Sequence, residues 1–127
     1  IAFLQEKGVG ELWPGLSERL LPADAPADVV ERAREIALGQ DTGRLVAALA
    51  AMRDRHDARP LLPGIAVPAL VVRGEEDAVV PLEEVKAVAG ALPHGELVRL
   101  AGTGHLPPLE WPEETARVLL RFLEHVR

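Results

Sequence analysis

Residues 65–81 read IAVPALVVRGEEDAVVP, and this stretch decides the fold class. It contains a short, continuous apolar run from Val67 to Val72, which is rich in β-branched residues and is stopped by Gly74. A run of this kind is typical of a strand that is buried on both faces, as in a parallel sheet. A helical pattern over 81–92 follows, and then a second predicted strand over 96–100. Strand, helix and strand in this order predict an α/β fold with two parallel strands joined by a right-handed crossover.

Upstream of this unit the sequence predicts helices only. Apolar residues recur at helical spacing over 27–38, and Gly39 ends that pattern. Asp41 or Thr42 is suited to cap a further helix that runs to about Arg55. We also expect a short helix over 1–7 that stops at Gly8, followed by a loop around Trp13 and Pro14.

The predicted sheet is too small to be stable alone. Stable sheets generally need three or more strands, and parallel sheets need both faces covered. The last predicted helix has Pro112 in its first turn, and its pattern turns Leu119, Phe122 and Val126 inward. Residues 61–127 therefore supply two strands and two helices, and they leave an apolar strand edge open. We expect the chain to be part of a larger sheet protein whose other strands lie upstream.

Two polar residues follow the two predicted strands. Asp77 comes a few residues after the first strand, and His105 comes five residues after the second. Because chemistry in open α/β sheets gathers at the carboxyl ends of the strands, both side chains are expected at one edge. A carboxylate there can accept a hydrogen bond from the imidazole Nδ1–H and leave Nε2 free to take a proton. The two residues would then form two thirds of a nucleophile–histidine–acid triad.

The third member of such a triad is absent. Ser17 is the only serine, there is no cysteine, and no Gly-x-Ser-x-Gly occurs. The spacing alone leaves a simpler alternative open, in which Asp77 caps a turn and His105 is a surface or packing residue.

Composition excludes several other classes of protein. The net charge of −6 argues against nucleic acid or an anionic membrane as partner, and the absence of cysteine excludes disulfides and thiolate metal sites. No apolar run approaches the length of a membrane span, and the first residues do not form a signal peptide. We therefore expect a cytoplasmic location, with no metal and no cofactor.

Two local motifs resemble those of the α/β-hydrolase family. Residues 65–81 fit the family's acid segment, I-x-V-P-x-L-x-x-x-G-x-x-D-x-x-x-P. Residues 101–113, AGTGHLPPLEWPE, fit its histidine segment, G-x-G-H-x-x-x-x-E-x-P-E. The two segments come in the family's order and at a separation typical of it. The cap and acid segments are most similar to those of bacterial enol-lactonases and carboxylesterases.

The resemblance implies a role for each matching residue. Asp77 would be the triad acid, His105 the general base, and Glu110 a brace for the histidine loop. Residues 1–60 would be part of the helical cap, and residues 61–127 the last strand–helix–strand–helix of the hydrolase core. Side chains beside the pair are our candidates for the substrate pocket: Val79, Val80, Leu106 and, in the cap, Trp13.

The family's nucleophile and oxyanion-hole amides lie upstream of these segments. We therefore expect a C-terminal fragment of a hydrolase of small-molecule esters or lactones, inactive without the missing N-terminal half. An aspartate nucleophile would instead give an epoxide hydrolase or dehalogenase, and a C–C bond hydrolase or a thioesterase is a further alternative. A non-catalytic module that docks onto a separately encoded half, or a truncated product without function, are further alternatives.

Overall fold

The computed structural model describes residues 1–126 and confirms the predicted order of strands and helices. Three helices come first, α1 (Ala2–Leu20), α2 (Ala27–Leu38) and α3 (Thr42–Asp54), and a 3₁₀ turn at Arg59–Gly64 follows. The strand–helix–strand unit is β1 (Ala69–Gly74), α4 (Leu82–Ala91) and β2 (Gly95–Leu100). The short α5 (Pro107–Glu110) and the final α6 (Pro112–His125) complete the described chain.

The first helical segment breaks at Gly8, as predicted, but a second helical segment follows where a loop was predicted. Gly8 interrupts α1 with a φ of 77°, and the helix resumes at once and continues to Leu20. The predicted loop around Trp13 and Pro14 is wrong, because Pro14 lies inside the helix. Burial of Val9 and Trp13 on one helical face explains the difference, since packing of an apolar face stabilises a helix more than local propensity does.

The second and third helices agree with the sequence pattern. Gly39 follows the end of α2, and Asp41 caps α3 by accepting a hydrogen bond from the amide of Arg44 at 2.9 Å. Within residues 1–126 no helix combines the length and the apolar character that a membrane crossing requires.

The two strands are parallel neighbours, as predicted. Their register pairs Ala69 with Gly95 and Gly74 with Leu100. The strand β1 begins two residues later than expected, because Pro68 has no N–H group and the ladder starts at Ala69, which donates to the carbonyl of His94. The predicted burial of this strand on both faces is not found, since residues 69–72 are only half-buried in the described chain.

The apolar stripe of α6 is also more exposed than predicted. Leu119 and Val126, which we expected on an inner face, are 45% and 40% exposed, while Phe122 is half-buried. Among residues 1–126, α6 packs mainly against α5 and makes no extensive contact with either strand. The helix therefore keeps an amphipathic pattern whose apolar side lacks a cover in the described chain.

A small apolar core joins the first helices to the loop that follows β2. Its buried members are Trp13, Leu21 and Ala33, and Leu106 and Leu109 pack against them. Leu106 and Leu109 lie at the start of α5, directly after His105. This core therefore holds the histidine loop against α1 and α2.

Candidate active site

Asp77 lies in a tight turn directly after β1. Its Oδ1 accepts hydrogen bonds from the amides of Val79 at 2.7 Å and Val80 at 3.0 Å. Such a turn is typical of an aspartate whose carboxylate bonds to its own backbone a few residues on. One carboxylate oxygen is thus fixed, and the direction of the other follows from it.

The second oxygen of Asp77 meets His105. The distance from Oδ2 to the imidazole Nδ1 is 2.9 Å, and the side chains are 7% and 33% exposed, respectively. An ionised carboxylate can only accept, so Nδ1 carries the proton and donates it to Asp77. In the described chain Nε2 makes no hydrogen bond, and it belongs to the more exposed partner. In the neutral imidazole, Nε2 is then the nitrogen that can accept a proton from a reactant.

Hydrogen bonding favours the ionised form of Asp77. Burial would by itself raise the pKa of this carboxyl group, but hydrogen bonds from His105 and from the amides of Val80 and Val79 outweigh the effect of burial. The pKa of Asp77 consequently lies below its ordinary value. The carboxylate is thus charged at neutral pH, as a partner for an imidazolium needs to be.

The loops that carry Asp77 and His105 are joined by backbone contacts beyond the sheet. The amide of Glu75 donates to the carbonyl of Leu100 at 2.8 Å, and the amide of Glu76 donates to the carbonyl of Thr103 at 2.9 Å. Gly74 permits this approach, because a Cβ there would lie 2.0 Å from the carbonyl oxygen of Gly104. The separation of the pair is therefore set by main-chain atoms.

Glu110 holds the histidine loop from the other side. Its Oε2 accepts from the amide of Gly104 at 2.7 Å, and its Oε1 accepts from the amide of Leu106 at 2.8 Å. One carboxylate thus binds the residues immediately before and after His105. This geometry is that of a brace for the loop.

The end of α1 provides a contact to His105 that the sequence did not predict. The amide of His105 donates to the carbonyl of Leu20 at 2.8 Å. Gly104 lets the chains come together, because a Cβ there would lie 2.7 Å from that same carbonyl oxygen. The amides of Gly104 and Leu106 bond Glu110 and the amide of His105 bonds α1, so the loop is fixed at three consecutive amides.

The four residues predicted to line a pocket occupy different environments. Val80 lines an open cavity of about 840 Å³ between α3, the 3₁₀ turn, β1 and α4. Val79 is half-buried in the Asp77 turn and does not line this cavity. Leu106 packs on the core cluster, and Trp13 is one of its buried members. Asp77 and His105 do not line the cavity either.

Two features of residues 1–126 concern possible metal ligands and nucleophiles near the pair. Within the described residues, no three His, Cys, Asp or Glu side chains are grouped as metal ligands would be. The hydroxyl of Ser17 donates to the carbonyl of Pro14 inside α1, at 2.8 Å. The sequence did not predict one neighbouring group, the buried guanidinium of Arg73. Its signal was a charged residue at the end of an otherwise apolar strand.

Comparison with solved structures defines the class of fold. The chain superposes on a thermophilic esterase from Thermogutta terrifontis with a TM-score of 0.91 and 31% sequence identity, over 97% of this chain and 46% of the esterase. The fold is that of the C-terminal part of an α/β-hydrolase, as the sequence predicted.

Residues 48–119, more than half of the chain, match the α/β-hydrolase family described as TAP-like protein. The chain therefore belongs to this family of α/β-hydrolases.

Two curated relatives are pimeloyl-[acyl-carrier protein] methyl ester esterases. The relative from Xanthomonas oryzae is 36% identical over 73 residues, which are 58% of this chain and 29% of that protein. The relative from Xanthomonas campestris is 30% identical over 118 residues, covering 87% of this chain and 47% of that protein. The matched residues thus span less than half of either relative.

Proposed function

We propose that this chain supplies the acid and the general base of a serine-hydrolase triad, Asp77 and His105. The observation that carries the proposal is the 2.9 Å contact between Asp77 Oδ2 and His105 Nδ1. It is supported by the low pKa of Asp77 and by the absence of any hydrogen bond to Nε2 in the described chain. Glu110 would serve as the brace that keeps the imidazole in place.

In the proposed mechanism, His105 accepts a proton and then donates it in each of two half-reactions. Its Nε2 takes the proton from a serine hydroxyl as the oxygen attacks the ester carbonyl, and the imidazolium then returns a proton to the departing alcohol. Water then attacks the acyl-enzyme while Nε2 takes its proton, and the imidazolium returns that proton to the serine oxygen as its bond to the acyl group breaks and the acid is released. Asp77 stays ionised throughout, holds Nδ1–H and stabilises the imidazolium.

The remaining groups would come from a part of the hydrolase that this chain does not contain. The single serine is bonded within α1, and there is no cysteine. We propose that the nucleophile and the oxyanion-hole amides lie on that other part, and that residues 1–60 belong to the cap over the site. The isolated chain should therefore have no esterase turnover, because removing even one oxyanion donor costs about 10²–10³ in kcat.

The substrate class we propose is a carboxylic ester. Both curated relatives described above carry the name of a methyl ester esterase. A lactone is a cyclic ester, so the same proton transfers would open it. Asp77 and His105 would act in the same way on both, so residues outside the pair would select between an open ester and a lactone.

A chimera tests the proposal. The part of the Thermogutta terrifontis esterase that matches this chain is replaced by residues 1–127, and turnover of a chromogenic ester is measured. We expect the chimera to be active, His105→Ala to lower kcat by about 10³-fold or more, and Asp77→Asn by about 10²–10⁴-fold.

The matched control is His94→Ala, which removes an exposed histidine that belongs neither to the pair nor to the lining of the cavity beside Val80. It should leave kcat unchanged. A chimera that keeps its turnover after His105→Ala would contradict the proposal and favour a non-catalytic role for this chain.

A further inference from the structure

Arg73 is a buried cation beside the proposed acid. It is 7% exposed and ends the apolar run of β1. Every hydrogen bond that its guanidinium makes in the described chain goes to a backbone carbonyl of the turn that carries Asp77. These acceptors are the carbonyl oxygens of Gly74 at 2.6 Å, Asp77 at 2.9 Å, and Glu75 and Val80 at 3.2 Å each.

Most of these carbonyl oxygens depend on Arg73 for their hydrogen bonds. Within residues 1–126 the carbonyls of Glu75, Asp77 and Val80 bond no other protein group, whereas that of Gly74 also accepts from the amide of Asp77. No carboxylate in the described chain pairs with Arg73 in an ion pair. A buried charge is costly unless it is well hydrogen-bonded, so the guanidinium and the four carbonyls stabilise each other.

The neighbouring strand offers an internal comparison. Arg99 is the register partner of Arg73 on β2. It is exposed and pairs with the side chain of Glu75 at 2.6 Å, and in the described chain it donates no hydrogen bond to the carbonyls of the turn. Two arginines at the same level of the sheet thus differ, since within residues 1–126 the buried one alone donates hydrogen bonds to the backbone around Asp77.

We propose that Arg73 is a positioning residue, whose guanidinium fixes the turn 74–80 so that Asp77 keeps one oxygen on its own turn and presents the other to His105. The inference rests on the proposed function, in which this orientation of Asp77 holds the imidazole. It adds a group that makes no hydrogen bond to His105 in the described chain and that acts through the carbonyls of the turn.

The shape of the guanidinium matters for this task. Arginine places five N–H donors in a rigid plane, which lets one side chain span carbonyls from residue 74 to residue 80. Lysine keeps the charge but has three donors at a single point, so it cannot bridge the same set. Charge and geometry can therefore be separated by substitution.

The test measures Asp77 directly in the full 127-residue chain. The pKa of its carboxyl group is followed by ¹³C NMR in the unsubstituted protein and in Arg73→Met, Arg73→Lys and Arg99→Met, together with amide exchange at Val79 and Val80. We expect both Arg73 variants to raise the pKa of Asp77 toward its ordinary value and to speed exchange at both amides. Arg99→Met should change neither, and Arg73→Lys provides the result if Arg73→Met does not fold.

The outcomes distinguish this inference from the proposed function. If the pKa of Asp77 is low and depends on His105, but Arg73→Lys leaves it and the amide exchange unchanged, the positioning role of Arg73 is overturned and the acid–base pair stands. If the pKa of Asp77 is already ordinary in the unsubstituted chain and His105→Ala does not alter it, the pair itself fails, and the role of Arg73 fails with it.

Discussion

At the scale of single residues, three hydrogen-bond donors orient the carboxylate of Asp77. Two backbone amides hold one oxygen and His105 holds the other. Because these donors bind the ionised carboxylate, they lower its pKa against the opposing effect of burial. The same contacts that orient the side chain therefore also stabilise the folded state in a manner that depends on pH.

Asp77→Asn tests that dependence. A carboxyl group whose pKa is lower in the folded than in the unfolded chain stabilises the fold above the unfolded-state value, about 3.9, and loses the effect as pH falls through the folded-state value. We expect Asp77→Asn to lower the free energy of unfolding by about 1–3 kcal/mol at neutral pH. The difference from the unsubstituted chain should shrink in acid.

Denaturant unfolding at neutral and acidic pH provides the measurement. The control is Asp24→Asn, since Asp24 is exposed. If Asp77→Asn changed the free energy of unfolding equally at both pH values, the donors would not stabilise the ionised carboxylate over its protonated form.

Glu110 can be tested in the same way. Glu110→Ala removes the acceptor of two amide bonds around His105, and hydrogen bonds to a charged group contribute about 1.5–3 kcal/mol each. We expect a lower midpoint of thermal unfolding and faster exchange of the amides of Gly104 and Leu106. Glu113→Ala, an exposed change in the first turn of α6, should affect neither. Unaltered exchange at both amides in Glu110→Ala would exclude the brace.

The residue types of the site were accessible from the sequence, but their mutual geometry was not. Asp77 and His105 follow predicted strands within recognisable motifs, so their meeting at one sheet edge could be predicted. The contacts of Arg73 and of the Leu20 carbonyl depend on the directions of backbone carbonyls in irregular segments. Those directions result from the completed turn and have no periodic signal in the sequence.

At the scale of elements, the approach of two loops depends on an absent side chain. Gly74→Ala would place a Cβ 2.0 Å from the carbonyl oxygen of Gly104 and 2.2 Å from that of Thr103. Backbone atoms cannot move aside as a flexible side chain can, so we expect a loss of about 3 kcal/mol or more in the free energy of unfolding.

The matched substitution is Gly90→Ala in α4, where a Cβ would meet nothing within 4 Å. It should stabilise the chain by about 0.5–1 kcal/mol, because alanine favours a helix interior over glycine. Equal effects of the two substitutions in denaturant unfolding would contradict the account of Gly74.

The elements themselves were predicted where the pattern was strong. The helix 27–38 and the cap at Asp41 agree with the sequence, and the parallel order of the strands follows from their helical connection. The error came at Trp13 and Pro14, where a turn signal competed with an apolar helical face. Packing prevailed there, and packing partners distant in sequence are not visible in a local pattern.

At the scale of the whole molecule, the described chain leaves apolar surface without a cover. The two-stranded sheet has free edges, and Leu119 and Leu123 on α6 are 45% and 51% exposed. Exposed strand edges and apolar patches promote association. The sequence pattern predicts that α6 faces inward, whereas the described residues leave Leu119 and Leu123 on this helix exposed.

We therefore predict that the 127-residue chain self-associates. Leu119→Glu with Leu123→Glu should raise the monomer fraction in sedimentation velocity, and it should change the free energy of unfolding by only about 0.5 kcal/mol, as is usual for exposed positions. Arg121→Glu alters net charge by the same amount on the opposite, exposed side of α6. If that control dissociates the chain equally, charge repulsion and not the apolar stripe is responsible.

The central claim is that Asp77 holds His105 by Nδ1 and leaves Nε2 free. The most direct measurement is the ¹⁵N chemical shifts of the His105 ring in the full chain at alkaline pH, where the imidazole is neutral. We predict that the proton resides on Nδ1, and that Asp77→Asn abolishes this preference. A proton found on Nε2 in the unsubstituted chain, or a preference that Asp77→Asn leaves unchanged, would contradict the account.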